Sequence, residues 1–402
     1  KTAYEILIGL VGSEMCISDR IKAEKVKISQ LALILLIVIP GGKYLSLPSY
    51  MYSISGRDSW LSFLLLFVLD FVCFLFTLWA INLNRRGLSL NEILTQTLSP
   101  VGSKIIFAVF TVFFLLRVTV LLLGCVDLFS STFVINTNWL AYIIPIALLV
   151  AVSLVQGVRN VARLTEMLFV FVMLALLSII FLSLRSADFS NLRPFLDEGF
   201  KPVLEGSLDG SFWFADSVFL LFFLEKVEAP KKKDNVLLCV MLLIGILVTM
   251  ALVVLYVALF GNASGINGIA ITKVSQFNIS NNSYGRLDWL SISIWMCSIF
   301  IKIIVLSFCA YSAIVWTVGY KKEKFNWWVF LSMVVPVIAL PLFFEMETFI
   351  FNQVSKGFVK YILIVVQYVL PICLPFLTKA ACAKGGREKK TSGAGRVKGE
   401  AV

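Results

Sequence analysis

Long apolar stretches, separated by short polar segments, constrain this chain more than any other feature of its sequence. They recur from Ile28 to Thr378, and a helix needs about 20 predominantly apolar residues to cross the hydrocarbon core of a bilayer. Apolar residues make up 59% of the 402 residues and charged residues only 15%, whereas about 25% of the residues in soluble domains are charged. The sequence therefore predicts an all-α integral membrane protein in contact with lipid.

The apolar stretches predict one membrane domain of ten transmembrane helices at residues 23–379. The preceding residues 1–22 have an apolar core of only Ile6 to Val11, which is too short to span a bilayer, so we interpret them as an artefactual or disordered extension. Residues 380–402 are a basic tail that we expect to be disordered. The predicted spans lie at residues 28–52, 59–83, 103–130, 139–156, 165–184, 203–225, 236–260, 288–317, 327–344 and 357–378.

Lys and Arg are distributed unevenly between alternate loops of this layout. Arg85 and Arg86, and the run Lys231 to Lys233, fall on the same side as the basic tail, whereas the loop at 131–138 on the other side contains neither residue type. Cytoplasmic loops are enriched in Lys and Arg. Both termini are therefore predicted to be cytoplasmic, which requires the even number of spans that the apolar stretches predict.

The composition excludes several classes of function. The net charge of +11 resides largely in the tail and the loops, where orientation in the membrane accounts for it, so we expect no nucleic-acid partner. The sequence has no histidine, and its eight cysteines include no CxxC pair, so we expect no metal site. No catalytic motif, such as a GxSxG elbow, is present. We therefore predict neither an enzyme nor a bound cofactor.

Two of the predicted spans contain residues that interrupt helices. Span one places Pro40, Gly41 and Gly42 in its middle, and span six places Gly210 and Ser211 at a similar depth. Non-helical backbone at membrane depth is tolerated only where protein or water covers it. Secondary transporters with inverted five-helix repeats carry discontinuous helices at matching positions and bind their solute between them. Spans one and six match in this way, although ordinary packed kinks are the alternative.

A small solute is the predicted ligand of these interruptions. Free amides at the start of a half-helix suit a carboxylate, whereas free carbonyls at the end of a half-helix suit an ammonium group or a sodium ion. An amino acid carries both charged groups. The candidate ligand-binding residues are Pro40, Gly41, Gly42, Lys43, Tyr44, Asp209, Gly210, Ser211, Phe212 and Phe214.

Charged residues inside the spans form a second candidate group. Arg117 and Lys302 lie in mid-span, and Asp70 and Asp216 are their candidate counter-charges. A cation at the centre of a bilayer costs about 2.5–3.5 kcal/mol or more unless it is paired or hydrated. These residues therefore serve either in ion or proton coupling or as structural ion pairs.

One residue of these sets has a more specific hypothesis. Asp209 either caps a half-helix, because Gly210 and Ser211 follow it, or shares with Asp216 the uptake of a coupling proton.

Four segments resemble the spore germination permeases, which include the B subunits of germinant receptors, within the amino acid–polyamine–organocation superfamily. These segments are GGKYLSLP at 41–48, GVRNVARLTE at 157–166, LRPFLDEGFKPVLEG at 192–206 and RLDWLSISIWMCSIFIK at 286–302. The family typically has Gly-x-Gly followed by Leu-x-Leu-Pro in helix one, so Lys43 stands where a small residue is usual.

The resemblance implies a LeuT-like fold with a 5+5 inverted repeat and broken helices one and six. In that arrangement helix eight faces helix one at a sodium site, where the ammonium group of Lys302 would replace the ion by binding carbonyl groups near Pro40 and Gly41, which would remove any dependence on sodium. The resemblance also implies a germinant-sensing subunit in the spore inner membrane or bacterial plasma membrane. The expected partners are a larger soluble-domain subunit, a lipoprotein, membrane lipid and a small germinant such as an amino acid. The alternative function is a proton-coupled secondary transporter for amino acids or cations, because both functions need the same midplane site.

Overall fold

The structure is a computed structural model that describes residues 26–84, 87–132, 140–227, 230–266, 270, 272–274, 288–319, 325–343 and 357–397. This part of the chain is helical, with an isolated parallel β-bridge between Val26 and Val227. The predicted extension at residues 1–22 lies outside the described residues. The helices are α1 Ile28–Val38, α2 Leu47–Ser55, α3 Ser59–Leu83, α4 Leu90–Thr97, α5 Pro100–Thr132, α6 Leu140–Gln156, α7 Val158–Leu184, α8 Lys201–Gly210, α9 Lys232–Phe260, α10 Asp288–Val318, α11 Trp327–Phe343, α12 Val359–Ile364 and α13 Leu370–Val397.

Six helical stretches of the described chain are long and apolar enough to cross a membrane: Leu47–Leu83, Pro100–Ser130, Val158–Leu184, Lys232–Gly265, Ile292–Val318 and Val359–Ala383. Shorter apolar helices occur at Ile28–Val38, Leu140–Gln156 and Trp327–Ala339. The number of long stretches is smaller than the ten predicted spans for two reasons. Predicted spans one and six are each divided by an interruption, and predicted spans four and nine are helices of 17 residues. An integral membrane protein follows from these helices.

The first interruption separates α1 from α2. The chain leaves α1 after Val38 and turns through Pro40 to Ser46 before α2 begins at Leu47. Gly42 has a φ of +84°, and a Cβ atom there would lie 2.3 Å from Cδ2 of Leu121. Glycine is required at this position because it tolerates the left-handed backbone and has no side chain to collide with α5.

The second interruption follows α8. A short 3₁₀ turn at Ser211–Trp213 leads to Phe214 in extended conformation, and a longer 3₁₀ segment begins at Asp216. Between them, Ala215 has a φ of +58° and a ψ of +37°, which is the left-handed helical region. Such a conformation costs a non-glycine residue roughly 1–2 kcal/mol. The interruptions that the Gly and Pro patterns predicted are therefore present in both segments.

α10 is the central helix of the described bundle. In its apolar window, 72% of the residues are buried, compared with at most 50% in the other five spanning stretches. It packs against α5 and α7, and it also contacts α1 and the 3₁₀ segment Asp216–Phe223. Because α5 and α10 flank both interruptions, side chains from the middle of these two helices reach the interrupted backbone.

Candidate functional site

A cluster of buried charges lies where the two interrupted segments meet. The carboxylate of Asp216 forms ion pairs with three basic side chains, and each of these four side chains is at most 4% exposed. Nη2 of Arg117 lies 2.7 Å from Oδ1 of Asp216, and Nζ of Lys302 lies 2.9 Å from the same oxygen. Lys43 donates a hydrogen bond to Oδ2 of Asp216. We refer to Lys43, Arg117, Asp216 and Lys302 as the charge cluster.

The local fold explains why these residues converge. Lys43 follows Gly42 in the turn after α1, and Asp216 is the first residue of the 3₁₀ segment after the second interruption. Arg117 and Lys302 come from the middle of α5 and α10, which share the most extensive contact among the described helices. Each interruption therefore contributes one charge, and the central helix pair contributes two.

Arg117 and Asp70 satisfy backbone groups that the second interruption releases. The guanidinium of Arg117 donates to the carbonyl oxygens of Phe214 at 2.9 Å and Trp213 at 3.1 Å. The amide of Ala215 donates to both carboxylate oxygens of Asp70 at 2.8 and 2.9 Å. Unpaired backbone groups in a hydrocarbon environment cost several kcal/mol each. These two side chains therefore stabilise a non-helical backbone at membrane depth.

The last helical segment completes this arrangement from the other side. Val365–Val369 forms a π-helical turn, within which Nε2 of Gln367 donates to the carbonyl of Phe212 at 3.3 Å. The hydroxyl of Tyr368 donates to the carbonyl of Ser211 at 3.4 Å. Short π-helical turns frequently occur at functional sites. Gln367 and Tyr368 were not among the residues predicted from the sequence, because a π-helical turn has no recognisable sequence pattern.

The ammonium group of Lys43 is enclosed by groups that attract cations. Besides Asp216, it donates to the carbonyl oxygen of Ile39 at 2.9 Å. It also lies 5.1 Å from the ring centroid of Phe214 and 5.7 Å from that of Phe67. The sequence pattern predicted free carbonyl groups at the end of α1 that would bind a cation. One of these carbonyls, that of Ile39, does bind an ammonium group, but the group is the side chain of Lys43.

A small cavity adjoins the charge cluster. Its wall includes all three cations together with Gly42, Phe212 and Trp213, whereas Asp216 is not part of the wall. The cavity has room for about one water molecule in this conformation. The residues that line the cavity include three basic side chains and no carboxylate. A guest in the cavity therefore meets mainly basic groups.

The structure brings together part of the predicted site. The predicted residues that lie at or next to the charge cluster are Gly42, Lys43, Asp70, Arg117, Phe212, Phe214, Asp216 and Lys302. Pro40 and Gly41 form the turn beside them, and a Cβ on Gly41 would lie 3.1 Å from the carbonyl oxygen of Ser298 on α10.

Other predicted residues have different surroundings. Asp209 accepts from Nζ of Lys360 on α12 at 2.8 Å. Tyr44 lines a separate small cavity with Pro48 and Tyr256. Gly210 lies beside the side chain of Met51, and the hydroxyl of Ser211 donates to the carbonyl of Leu208.

The contacts of Lys302 and Asp209 differ from the sequence hypotheses. Lys302 contacts both oxygens of Asp216, and the carbonyl of Ile39 next to the first interruption is bound by Lys43 instead. Lys43 lies on the interrupted segment itself, four residues after Ile39, so its side chain is close enough to bind this carbonyl. Asp209 is in an ion pair that joins α8 to α12. Lys360 was missed because it lies near the start of an apolar span and resembles an interfacial lysine.

Together, the apolar helices and the buried charges at two interruptions define an integral membrane protein with a charged site inside its helical bundle. The sequence profile of the family described as "Spore germination protein" matches residues 25–347, which is most of the chain. The chain belongs to this family.

Two curated relatives agree with the family assignment. Spore germination protein XB of Bacillus anthracis is 23% identical over 327 residues, which is 75% of this chain and 90% of that protein. Spore germination protein YndE of Bacillus subtilis (strain 168) is 24% identical over 235 residues, which is 56% of this chain and 61% of that protein. The match thus spans less than two thirds of YndE but nearly all of XB.

Proposed function

We propose that this chain is a germinant-sensing receptor subunit that binds a small solute at the charge cluster. The family and its relatives support a role in spore germination. The observation that carries the proposal is the cavity between the two interrupted segments, with three buried cations in its wall. Buried charges in a membrane domain usually mark a solute or ion path. A solute that binds one conformation of the bundle more tightly would shift its population and so carry the signal.

A carboxylate is the ligand group that this site suits best. Arg117 presents a planar guanidinium, which matches a carboxylate well, and Lys302, which contacts the same oxygen of Asp216, adds a second donor. An amino acid is the class of germinant that the family resemblance implies. The basic side chains in the cavity wall account for binding of a carboxylate group, whether or not the solute also carries an amine.

The remaining assignments belong to the same proposal. The two interrupted segments support a LeuT-like arrangement of ten helices in two inverted five-helix repeats. The distribution of Lys and Arg supports cytoplasmic termini. We also propose the spore inner membrane as the location, with a soluble-domain subunit and a lipoprotein as partners, because the family resemblance implies them.

A proton-coupled transporter is the second candidate function. The observation that favours it is a pair of buried carboxylates in adjacent positions: Asp70 accepts from the amide of Ala215, and Asp216 is the next residue of the same interrupted segment. In a transporter, one of these groups would take up a proton as the bundle changes conformation. Uptake of radiolabelled amino acid by vesicles that contain only this chain would favour the transporter, whereas binding without uptake favours the receptor.

The experiment that tests the proposal is a binding screen on the purified chain in lipid nanodiscs. Amino acids, nucleosides and sugars are added separately, and the midpoint of thermal unfolding is measured for the wild type and for Lys302→Met. We expect one solute to raise the midpoint of the wild type and to lose most of this effect in Lys302→Met. Lys360→Met is the matched control, because Lys360 is a buried lysine in a different ion pair. A response that Lys302→Met leaves intact would contradict the proposed site.

A further inference from the structure

The ammonium group of Lys43 occupies a complete cation-binding site formed by this chain. Its contacts are the carbonyl oxygen of Ile39, the carboxylate of Asp216 and the faces of Phe67 and Phe214. A carbonyl, a carboxylate and aromatic faces are the groups that bind the ammonium of a free ligand. Lys43 is 1% exposed, so these contacts are shielded from solvent.

A solute would compete poorly for this ammonium site. Lys43 is attached to the turn that it binds, and a tethered group acts at an effective concentration on the order of millimolar or higher. The cavity beside it also presents Arg117 and Lys302 to an incoming group. A second ammonium would therefore meet like charge in a buried setting, where such repulsion is weakly screened.

We propose that Lys43 takes the place of a ligand's amino group, so that this site binds small carboxylates that lack an amine in preference to amino acids. The inference rests on the proposed function, because it names the class of solute that the same site takes. The carboxylate binds beside Arg117 and Lys302, while Lys43 balances the charge of Asp216. Because the cavity has room for about one water molecule in this conformation, it must enlarge to admit a carboxylate, and short carbon chains require the smallest change.

The first test uses matched pairs of solutes on the wild-type chain in nanodiscs. Acetate is compared with glycine, propionate with alanine, and isovalerate with valine, since each pair differs by one amino group. Dissociation constants are obtained from thermal unfolding at increasing solute concentration, with sodium chloride at equal ionic strength as the reference. We expect at least one carboxylate to bind about tenfold or more tightly than its amino-acid partner.

The outcomes of this first test are distinct. Tighter binding of the amino acid in every pair overturns the inference and leaves the proposed solute site standing. If no solute of any pair binds, both the inference and the proposed function fail for these ligand classes. Chloride that binds as tightly as the carboxylates shows a site for simple inorganic anions, which also overturns the inference.

The second test replaces the lysine by a free amine. Lys43→Ala removes a three-carbon chain with its ammonium group, so n-propylamine has the matching size. We expect Lys43→Ala to bind the preferred carboxylate about tenfold more weakly, and millimolar n-propylamine to restore most of the affinity. Lys43→Met fills the same space without a charge, so n-propylamine should have no effect on it.

Controls separate this result from a loss of folding. Lys360→Ala creates a similar gap in a different ion pair, and its carboxylate affinity should be unchanged by n-propylamine. Monodisperse elution of each variant establishes folding before binding is measured. If Lys43→Ala and Lys43→Met elute as aggregates, the solute pairs on the wild type still decide the inference. Wild-type affinity in a folded Lys43→Met variant would overturn it.

Discussion

Asp216 is the residue that holds the charge cluster together. It is the only carboxylate that the described contacts place on Lys43, Arg117 and Lys302. Charges buried without a partner are strongly destabilising, whereas a complete buried pair contributes little net stability. The main effect of Asp216 on folding is therefore to make three buried cations tolerable.

We predict that Asp216→Asn lowers the free energy of unfolding by about 3–5 kcal/mol, because it leaves buried cations without their counter-charge. Lys302→Met alone should cost less, because Asp216 keeps two cationic partners. In the double variant, removal of one cation should recover part of the loss caused by Asp216→Asn. Unfolding in nanodiscs is the measurement, and simple additivity of the two single effects would contradict this explanation.

Ala215 provides a second prediction, because its backbone is left-handed. In Ala215→Gly, the relief of roughly 1 kcal/mol of backbone strain offsets the loss of one buried methyl group, which is worth about 0.8 kcal/mol. Its stability should therefore stay close to that of the wild type. Ala175→Gly is the matched control, since Ala175 is buried inside the regular helix α7, where glycine costs about 1 kcal/mol in addition to the lost methyl group. Equal destabilisation by both substitutions would show that Ala215 is not strained.

At the scale of elements, the second interruption is held by side chains from three separate helices. Asp70 on α3 and Arg117 on α5 bind its amide and carbonyl groups, while Gln367 and Tyr368 bind it from the π-helical turn. Lys360, one residue into α12, adds an ion pair with the end of α8. The non-helical backbone is therefore stabilised by its neighbours and not by its own sequence alone.

The ion pair between Asp209 and Lys360 should stabilise the junction of α8 and α12 without affecting the solute. The side chains are 17% and 8% exposed and 2.8 Å apart. We predict a coupling energy of about 1 kcal/mol from Asp209→Asn, Lys360→Met and the double variant, within the range of residues in contact. The affinity for the preferred solute should change by less than about threefold. A larger loss of solute affinity in Asp209→Asn would show that Asp209 contributes to ligand binding, as the sequence predicted.

The sequence predicted the interruptions well and their partners poorly. Pro40, Gly41 and Gly42 are visible in the sequence because a helix tolerates few such residues, and Arg117 stands out because charge is rare in an apolar run. Which cation would contact which carbonyl was not predictable, since it depends on how α1, α5 and α10 rotate about their axes. For example, the carbonyl group that Lys302 was predicted to bind is bound by Lys43, and Lys302 binds Asp216 instead.

At the scale of the whole molecule, the two interrupted segments contact each other at two separate places. Lys43 binds Asp216 within the bundle, and the amide of Val26 donates to the carbonyl of Lys226 at 3.0 Å beyond the ends of the same segments. Segments joined in this way tend to move as one unit, because separation would expose buried charge. A solute that binds beside the charge cluster would therefore bias the position of both segments together.

This arrangement predicts that solute binding does not require sodium. Interrupted helices in transporters offer carbonyl groups to a sodium ion, but here Lys43 binds the carbonyl of Ile39, and Arg117 binds those of Trp213 and Phe214. The dissociation constant of the preferred solute should agree within about twofold in sodium, potassium and choline chloride at equal ionic strength. Lys43→Ala frees one carbonyl and one carboxylate contact, so this variant should gain affinity when sodium replaces choline. A strong sodium requirement in the wild-type chain would mean that the lysines do not replace the ion.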